Sequence, residues 1–439
     1  MINLPHFLQK SIVLLRLYAF FSFILLLCLD VKSQNLTYAR YVLDSLCSPQ
    51  MHGRGYVNNG DKIAAKFIVE EFKKIGLESK TKNFVQPFTT SVNSFPGKMS
   101  VTINDKLLSP GKDYQIEPGS PSVSGTFETV NCNEEDFLYP SRLKNIVSQL
   151  SDKFIVIHPC YKELTKDEKK TIQEYKSFFI YSDKNTALGT LILSKEKLTW
   201  GASTEVLQKP TFTLKIDSVS KDITSLKLDI ENKFIKKHKT QNIIGFIKGA
   251  TVPDSTIVLT AHYDHLGRMG KDTYYPGAND NASGIAMLLN MAKYYKDNPP
   301  KYSVLFIAFA GEEIGLVGST YYVENPVMPL KKIKFLINFD ISGTGDEGIQ
   351  VVNGNIFKTQ FDRLQKLNSE TGLLTQVKVR GESCNSDHCM FFEKGVPCFF
   401  IYTLGGIKAY HDIYDKSETL PFTDFEDYFK LMIRFIDHF

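Results

Sequence analysis

Three hydrophobic runs in the second half of this chain end on acidic side chains, and one of them also carries a histidine. The runs are residues 257–264 (IVLTAHYD), 306–313 (FIAFAGEE) and 335–340 (FLINFD). Continuous apolar runs of this length are typical of strands that are buried on both faces of a sheet. Asp and Glu avoid such surroundings unless they are paired or bind a metal. Because strand carboxyl ends line the crevice of an open α/β sheet, these acids are predicted to meet there.

Two further candidates lie outside these runs, an aspartate in a GANDN turn and a histidine after a tyrosine. Zinc binds imidazole nitrogen and carboxylate oxygen, and two ions about 3.5–4 Å apart need a bridging carboxylate plus one histidine and one more carboxylate each. We assign Asp280 as the bridge, His262 and Asp340 to one ion, and Glu313 and His411 to the other. The sequence therefore predicts two Zn²⁺ per chain.

Other interpretations of the same residues are weaker. A single Asp or His at a strand end is more often a turn or capping residue than a ligand, but an ordered set of five favours a metal site. A Ser-His-Asp hydrolase at residues 386–388 (SDH) is excluded, because sequence neighbours cannot form a nucleophile relay and no Gly-x-Ser-x-Gly elbow precedes them.

The motifs of this region resemble those of a known family. They are residues 260–267 (TAHYDHLG), 276–284 (PGANDNASG), 309–319 (FAGEEIGLVGS), 338–340 (NFD), 386–388 (SDH) and 410–411 (YH). Together they resemble the co-catalytic dizinc aminopeptidases, whose clan also contains glutamate carboxypeptidases, glutaminyl cyclases and the transferrin receptor ectodomain. The resemblance covers most of residues 240–439 and a short stretch near the N-terminus.

The resemblance implies two catalytic residues. Glu312, next to the ligand Glu313, is implied as the general base that takes a proton from a zinc-bridging water and delivers it to the leaving amine. Tyr410 is implied as the hydroxyl that stabilises the tetrahedral oxyanion. The competing interpretations are a first-turn acid of a helix near Ile314 for Glu312, and simple packing for Tyr410.

Four more polar residues complete the candidate set. Asp264 returns to the face of His262 in a strand, and the resemblance makes it the acceptor that fixes the imidazole tautomer. His265 points off that face, which favours a loop or supporting role. The resemblance places Asp387 and His388 beside the substrate pocket.

Composition limits the possible partners. The 439 residues are 43% hydrophobic and 23% charged, enough for one large core and a smaller second one. The net charge of +4 is slight, and no basic block with interleaved aromatics occurs, so no nucleic-acid partner is expected. Peptides are the expected substrates, and the oligomeric state stays open.

The N-terminus is predicted to be a signal peptide over residues 1–33. Lys10 and Arg16 precede an apolar run at residues 17–29 that is short for a membrane span, and Ser33 offers a small residue for cleavage. We expect a secreted or periplasmic protein without a stable membrane span after cleavage. An uncleaved anchor is the alternative.

Cleavage would leave six cysteines, an even number that permits disulfides in an exported chain. Cys384 and Cys389 straddle the SDH motif, and either a disulfide that clamps this loop or two buried free thiols fit the sequence. Zinc binding by cysteine is not expected, because the chain has no Cys-x-x-Cys pair.

The pattern of elements predicts one domain interrupted by another. Residues near 38–77 are expected to be largely helical, with a stripe of apolar residues and with Gly76 as the stop. Residues 34–82 and 240–439 are expected to form a discontinuous dizinc peptidase domain, an α/β three-layer sandwich with a mostly parallel central sheet flanked by helices. Short β-like runs between residues 83 and 239 predict a smaller β-rich insert, with 178–181 among its strands and 233–239 as the return linker. Several members of the family that the motifs resemble carry a protease-associated lid in this position, and the resemblance implies a divergent lid of this kind here.

These observations predict an exported zinc exopeptidase, with an aminopeptidase as first choice. A carboxypeptidase or dipeptidase of the same clan, or a glutaminyl cyclase with one zinc, is the alternative among enzymes. A receptor-like ectodomain without catalysis is the alternative of another class, and it is disfavoured because no gap occurs among the five ligand positions.

Overall fold

The computed structural model describes residues 36–220 and 222–439. The predicted signal peptide at residues 1–33 lies outside this part of the chain. Residues 36–439 belong to one compact unit. Among the described residues, no helix has the length and apolar character that a bilayer span requires.

The described residues form nine α-helices and twenty strands. The helices are α1 (Leu36–Cys47), α2 (Gly60–Ile75), α3 (Pro140–Val147), α4 (Lys166–Tyr181), α5 (Ser283–Asp297), α6 (Val317–Glu324), α7 (Lys358–Thr371), α8 (His388–Glu393) and α9 (Phe425–Asp437). The strands are β1 (Glu78–Ser79), β2 (Val85–Ser94), β3 (Met99–Ile103), β4 (Lys106–Leu108), β5 (Tyr114–Ile116), β6 (Val123–Phe127), β7 (Thr129–Asn133), β8 (Phe154–His158), β9 (Gly189–Ser194), β10 (Thr211–Lys215), β11 (Leu226–Ile230), β12 (Lys233–Ile247), β13 (Val252–His262), β14 (Arg268–Met269), β15 (Thr273–Tyr274), β16 (Tyr302–Phe309), β17 (Ile333–Phe339), β18 (Ile349–Val352), β19 (Val377–Val379) and β20 (Cys398–Thr403).

A nine-stranded mixed sheet forms the centre of the fold. Its order is β1-β12-β16-β13-β17-β20-β18-β19, and β2 pairs with β12. The four strands β16, β13, β17 and β20 run parallel, whereas β12 and β18 join them antiparallel. Helices cover both faces, so the predicted three-layer α/β sandwich is confirmed.

The continuous apolar runs are explained by burial on both faces of this sheet. Along β13, Ile257, Leu259 and Ala261 contribute to the core beneath α1, α2, α5 and α9, whereas Val258 contributes to the core beneath α6 and α8. Successive side chains of a strand point to opposite faces, so a strand covered on both sides requires an apolar residue at every position. The predicted core strands are therefore confirmed.

The N-terminal helices pack on one face of the sheet. Gly76 ends α2 in the left-handed conformation, with φ 81°, and its N–H donates to the carbonyls of Phe72 and Lys73. This is the helix stop that the sequence predicts. Between α1 and α2, two short 3-10 segments at Pro49–Arg54 and Val57–Asn59 break the helical pattern.

Two smaller sheets are built from the middle segment, which we define as residues 95–220 and 222–230. One is five-stranded (β5-β10-β9-β8-β7) and the other four-stranded (β4-β3-β11-β6). They share a core that also includes Leu266, Met269 and Tyr275 from the segment after β13. The division of the chain into a peptidase domain and an inserted domain at residues 83–239 stays a prediction.

Two local predictions in this region are wrong. Residues 178–181 end the helix α4 instead of forming a strand, because the helix begins earlier at a capping box in which Thr165 accepts from the Glu168 N–H. The charge-rich residues 233–239 are not a linker. They form the first half of β12, which pairs with β2 from Val85 to Ser94. All four of their lysines are exposed, and His238 is buried.

Candidate active site

The carboxyl ends of the parallel strands gather most of the predicted site residues at one edge of the sheet. His262 is the last residue of β13, and Asp340 follows β17 directly. Glu312 and Glu313 lie in the turn after β16, and Asp280 lies in the turn before α5. His411 comes from the long loop after β20. All of these residues are buried or partly buried.

One half of the cluster is arranged around His262. Its Nε2 lies 3.3 Å from Oδ1 of Asp280 and 3.4 Å from Oδ1 of Asp340. The side-chain oxygens of Glu312 and Asp340 and a ring nitrogen of His262 lie within 4.8 Å of one another. Ser386 donates to Asp340 Oδ2 at 3.0 Å, which leaves Asp340 Oδ1 buried without a hydrogen-bond partner.

The other half is arranged around His411. Its Nε2 lies 2.9 Å from Oδ2 of Asp280 and 3.2 Å from Oε2 of Glu313. Asp280 therefore directs one carboxylate oxygen to each histidine. This is the arrangement that a bridging ligand between two cations requires.

The residues present fit a pair of zinc ions. Imidazole nitrogens and carboxylate oxygens are the ligands that zinc accepts besides thiolate. The unpartnered, buried Oδ1 of Asp340 is a free acceptor that points to the same cluster. Two groups of three side chains each have ligand atoms within 4.8 Å of one another. One group is His262, Glu312 and Asp340, and the other is His262, Asp280 and Glu313. The five residues assigned from the sequence come together, and their role as ligands stays a prediction.

In the protein without metal, protons balance the charge of this cluster. Burial opposes a charged His411 ring, but Glu313 and Asp280 outweigh burial and raise its pKa to about 11. Burial and Asp280 oppose ionisation of Glu313, but the facing histidines His411 and His265 bring its pKa down to about 2. Burial likewise opposes charging of His262, yet Glu312 and Asp340 raise its pKa well above the ordinary value. Metal binding must therefore displace protons from the two rings.

Asp264 supports the site differently from what the sequence predicts. Nδ1 of His262 lies 3.2 Å from the main-chain carbonyl of Asp264 and 3.8 Å from its carboxylate. The carboxylate instead accepts from the backbone N–H groups of Glu312, at 3.2 Å, and Glu313, at 3.4 Å. The carbonyl is thus the nearer acceptor for the imidazole, and the carboxylate holds the turn that carries both glutamates.

His265 has a definite partner in the site. Its Nδ1 lies 2.6 Å from Oε1 of Glu313, and its ring is fully buried. Glu313 can thereby offer its second oxygen, Oε2, to the side of His411. This agrees with the supporting role that the sequence favours for His265, and it adds the identity of the supported residue.

Glu312 lies in a turn rather than in a helix. The helix α6 begins at Val317, and the Glu312 carbonyl accepts from the N–H groups of Gly315 and Leu316. The interpretation of Glu312 as a first-turn helix acid is therefore wrong. Burial raises the pKa of the Glu312 carboxyl well above the ordinary value. His262 lowers this pKa, whereas the charges of Asp340 and Glu313 raise it further. Bound cations would shift this pKa downwards.

Tyr410 lies at the open side of the cluster. Its ring stacks on His411 with a centroid distance of 4.0 Å, and 44% of the residue is exposed. Burial of its hydroxyl, together with the charges of Asp280 and Glu313, raises its pKa above the ordinary value. The hydroxyl therefore keeps its proton at neutral pH, as an oxyanion donor must.

The SDH loop contributes a residue that sequence reasoning did not single out. Ser386 accepts from Nδ2 of Asn338 at 2.8 Å and donates to Asp340. Asp387 and His388 are fully buried, and burial brings the pKa of His388 down to about 4. Their place in the substrate pocket stays a prediction. Cys384 and Cys389, left open by the sequence, form a disulfide across this loop.

The turn that carries Asp280 is held by a buried arginine. Arg54 is fully buried, and its guanidinium donates to the carbonyls of Tyr263 at 2.8 Å, Pro276 at 2.5 Å and Gly277 at 2.7 Å. A weaker contact reaches the Asp280 carbonyl at 3.3 Å. Gly277 has φ 59°, and a Cβ there would lie 2.6 Å from Nη2 of Arg54, so only glycine allows this approach.

A buried aspartate holds the same turn from the other side. The carboxylate of Asp415 accepts from the N–H groups of Asn279 at 2.9 Å and Asp280 at 3.0 Å. Burial raises the pKa of Asp415 to about 7, against the effect of these two N–H donors. Sequence reasoning missed Arg54 and Asp415. The only signal was an arginine between two glycines, Gly53 and Gly55, within a helical pattern.

We expect Arg54→Met to lower the free energy of unfolding by about 3 kcal/mol or more, since it leaves several buried carbonyls without donors. Arg54→Lys should be intermediate, because an ammonium keeps the charge but lacks the planar fork of five donors. Urea unfolding monitored by circular dichroism measures both. A loss under about 1 kcal/mol in Arg54→Met, the size of an ordinary hydrogen bond, would contradict this account.

Histidines and carboxylates that meet at the ends of parallel strands in a three-layer sandwich are typical of metallohydrolases. Residues 242–436 match the model of Peptidase family M28. Aminopeptidase YwaD of Bacillus subtilis (strain 168) is 26% identical over 352 residues, covering 76% of this chain and 69% of the relative. An aminopeptidase of Pseudomonas aeruginosa (strain UCBPP-PA14) is 24% identical over 405 residues, covering 85% and 71%.

The fold is also that of a solved structure. BSAP, a zinc aminopeptidase from Bacillus subtilis, superposes with a TM-score of 0.69 at 21% identity, covering 92% of this chain and 95% of that chain. Over residues 242–436 the chain is similar to Peptidase family M28, and two relatives that are 26% and 24% identical are aminopeptidases. The family resemblance stated from the motifs is confirmed.

Proposed function

We propose that this protein is a two-zinc aminopeptidase that removes the N-terminal residue of peptides. The observation that carries the proposal is Asp280, whose two carboxylate oxygens face one histidine each, His262 and His411. Asp340 and Glu313 supply the further carboxylate on either side. The printed names of the two relatives and of the solved structure agree with aminopeptidase activity.

The residues of the site suit hydrolysis. Bound zinc polarises a carbonyl and lowers the pKa of water. Glu312 is placed within reach of His262 and Asp340, and we assign it to take the proton of the attacking water and return it to the leaving amine. Tyr410 donates a hydrogen bond from its hydroxyl to the oxyanion that develops on the scissile carbonyl. Arg54 holds the turn of the bridging residue in place.

Export is part of the proposal and rests on the sequence of residues 1–33 alone. A secreted or periplasmic enzyme would act on peptides outside the cytoplasm. The sequence leaves the preferred N-terminal side chain open.

Substrate assays test the proposed activity. The purified protein should release the first amino acid from chromogenic aminoacyl amides and from unblocked peptides, and it should leave N-acetylated versions of the same peptides intact. Peptides with N-terminal glutamine should be hydrolysed rather than cyclised. Three results would contradict the aminopeptidase assignment. Cleavage at the C-terminus would favour a carboxypeptidase, cleavage of N-acylated dipeptides would favour a dipeptidase, and formation of pyroglutamate would favour a glutaminyl cyclase.

A zinc determination separates an enzyme from a receptor-like ectodomain. We expect close to two equivalents of zinc per chain by inductively coupled plasma mass spectrometry. A folded protein that contains no zinc after exposure to an excess of the metal, and that cleaves none of these peptides, would favour the receptor.

A further inference from the structure

His411 is placed by a loop rather than by the end of a strand. β20 ends at Thr403, and the residues between it and α9, which begins at Phe425, form no strand or helix. The other four candidate ligands lie at a strand end, in a short turn after a strand, or in the turn that starts α5. The position of His411 therefore depends on what the loop contacts.

The main chain of Trp200, from the middle segment, contacts His411 on both sides. The Trp200 N–H donates to the His411 carbonyl at 2.8 Å. The Trp200 carbonyl lies 3.0 Å from Nδ1 of the His411 ring. A carbonyl accepts only from a protonated nitrogen, so this contact leaves Nε2 to face Asp280 and Glu313.

Lys197 holds the residues on either side of His411. Its Nζ donates to the carbonyls of Lys408 and Tyr410, both at 2.8 Å. The same ammonium lies 2.8 Å from the carboxylate of Asp412, whose side chain is only 3% exposed. The charge of Lys197 therefore compensates a buried carboxylate next to the ligand.

The indole of Trp200 contacts the second loop of the site. It is buried, its Nε1 donates to the Ile116 carbonyl at 2.8 Å, and its ring packs on Tyr275 with a centroid distance of 4.7 Å. Tyr275 immediately precedes Pro276 and Gly277, the turn residues that Arg54 holds beside Asp280. One short stretch of the middle segment thus contacts the loops of two candidate ligands.

We propose that residues 197–200 are positioning residues for His411, so that the middle segment is a structural part of the metal site. The inference rests on the proposed function, in which His411 binds zinc. Partners that hold the outer nitrogen of a ligating histidine fix its tautomer and orientation, and losing such partners typically costs about 10–100-fold in metal affinity or activity.

The test compares two lysine variants of the full-length protein. In Lys197→Met the three contacts with residues 408–412 are lost. Lys195→Met is the matched control, because its ammonium lies over the ring of Tyr161, at 3.6 Å, instead. Lys197→Arg is the rescue variant, since a guanidinium can donate to the same carbonyls and to Asp412.

We expect Lys197→Met to weaken the binding of the less tightly held zinc by about 10-fold or more in competition with a chelating indicator. Its kcat should fall while KM changes little, and amide hydrogen exchange should accelerate in residues 408–413. The control should behave as the wild type, and Lys197→Arg should recover most of the zinc affinity.

Two outcomes overturn the proposal. One is equal zinc affinity and equal exchange at residues 408–413 in Lys197→Met and Lys195→Met. The other is a lower melting temperature in Lys197→Met with unchanged zinc affinity, which shows a structural role only. Amide exchange at residues 408–413 in the metal-free protein tests the positioning role even if the wild type binds no zinc. Absence of zinc binding in the wild type would count against the proposed function alone.

Discussion

Replacing Glu312 by glutamine should lower turnover by about 10²–10⁴-fold, the usual size of a general acid–base contribution. The amide keeps the shape of the side chain but cannot take a proton from water. Zinc content should stay close to that of the wild type, because the five assigned ligands do not include Glu312. Steady-state kinetics and metal analysis on the same preparation measure both quantities.

A distant glutamate provides the control for this variant. Glu163→Gln makes the same chemical change at an exposed position in the middle segment and should leave turnover and zinc content unchanged. A turnover in Glu312→Gln within tenfold of the wild type would remove Glu312 from the role of base. A large loss of zinc in that variant would make Glu312 a ligand instead.

Glu313→Gln should instead lose metal, and with it nearly all activity. Oε2 of Glu313 faces His411, and Oε1 accepts from His265, so an amide removes the negative charge from one half of the cluster. We expect zinc per chain to fall from near two equivalents towards one. Metal analysis after dialysis, together with turnover at saturating substrate, measures the effect.

Chelation and a neighbouring variant complete this experiment. Excess chelator should abolish the activity of the wild type, and added zinc should restore it. In Glu313→Gln, a large excess of zinc should restore activity only in part, whereas Glu312→Gln should not respond to added zinc. If the two glutamate variants behaved alike in zinc content and in zinc response, the assignments of base and ligand would have to be exchanged or abandoned.

The strand ends were predictable because local chemistry marks them. Burial of an acid directly after an apolar run, such as Asp340 after residues 335–339, is unfavourable unless a positive charge or a metal ion compensates its charge. The parallel strands then carry these acids to one edge of the sheet, whatever the details of packing. The helix stop at Gly76 was equally local, since only the backbone of its own last turn is involved.

The local predictions that are wrong had ambiguous signals. Residues 178–181 (FFIY) fit a strand by composition, but the capping box at Thr165 and Glu168 starts a helix that runs through them. The lysines of residues 233–239 suggested a solvated linker. A strand segment that pairs with β2 and carries exposed lysines and one buried histidine, His238, has nearly the same composition.

The sequence by itself indicated the chemical class of the site, since it carries five ligand-type residues in this order, three of them at or just after the ends of core strands. Only the tertiary structure showed what holds those residues in place. Arg54 reaches Asp280 across 226 positions of the chain, Asp415 reaches Asp280 across 135, and Trp200 reaches His411 across 211. Contacts over such separations leave no periodic pattern in the sequence. The residue type alone also does not distinguish a lysine, arginine or aspartate that holds a buried loop from one on the surface. Packing alone decides which of them becomes part of the site.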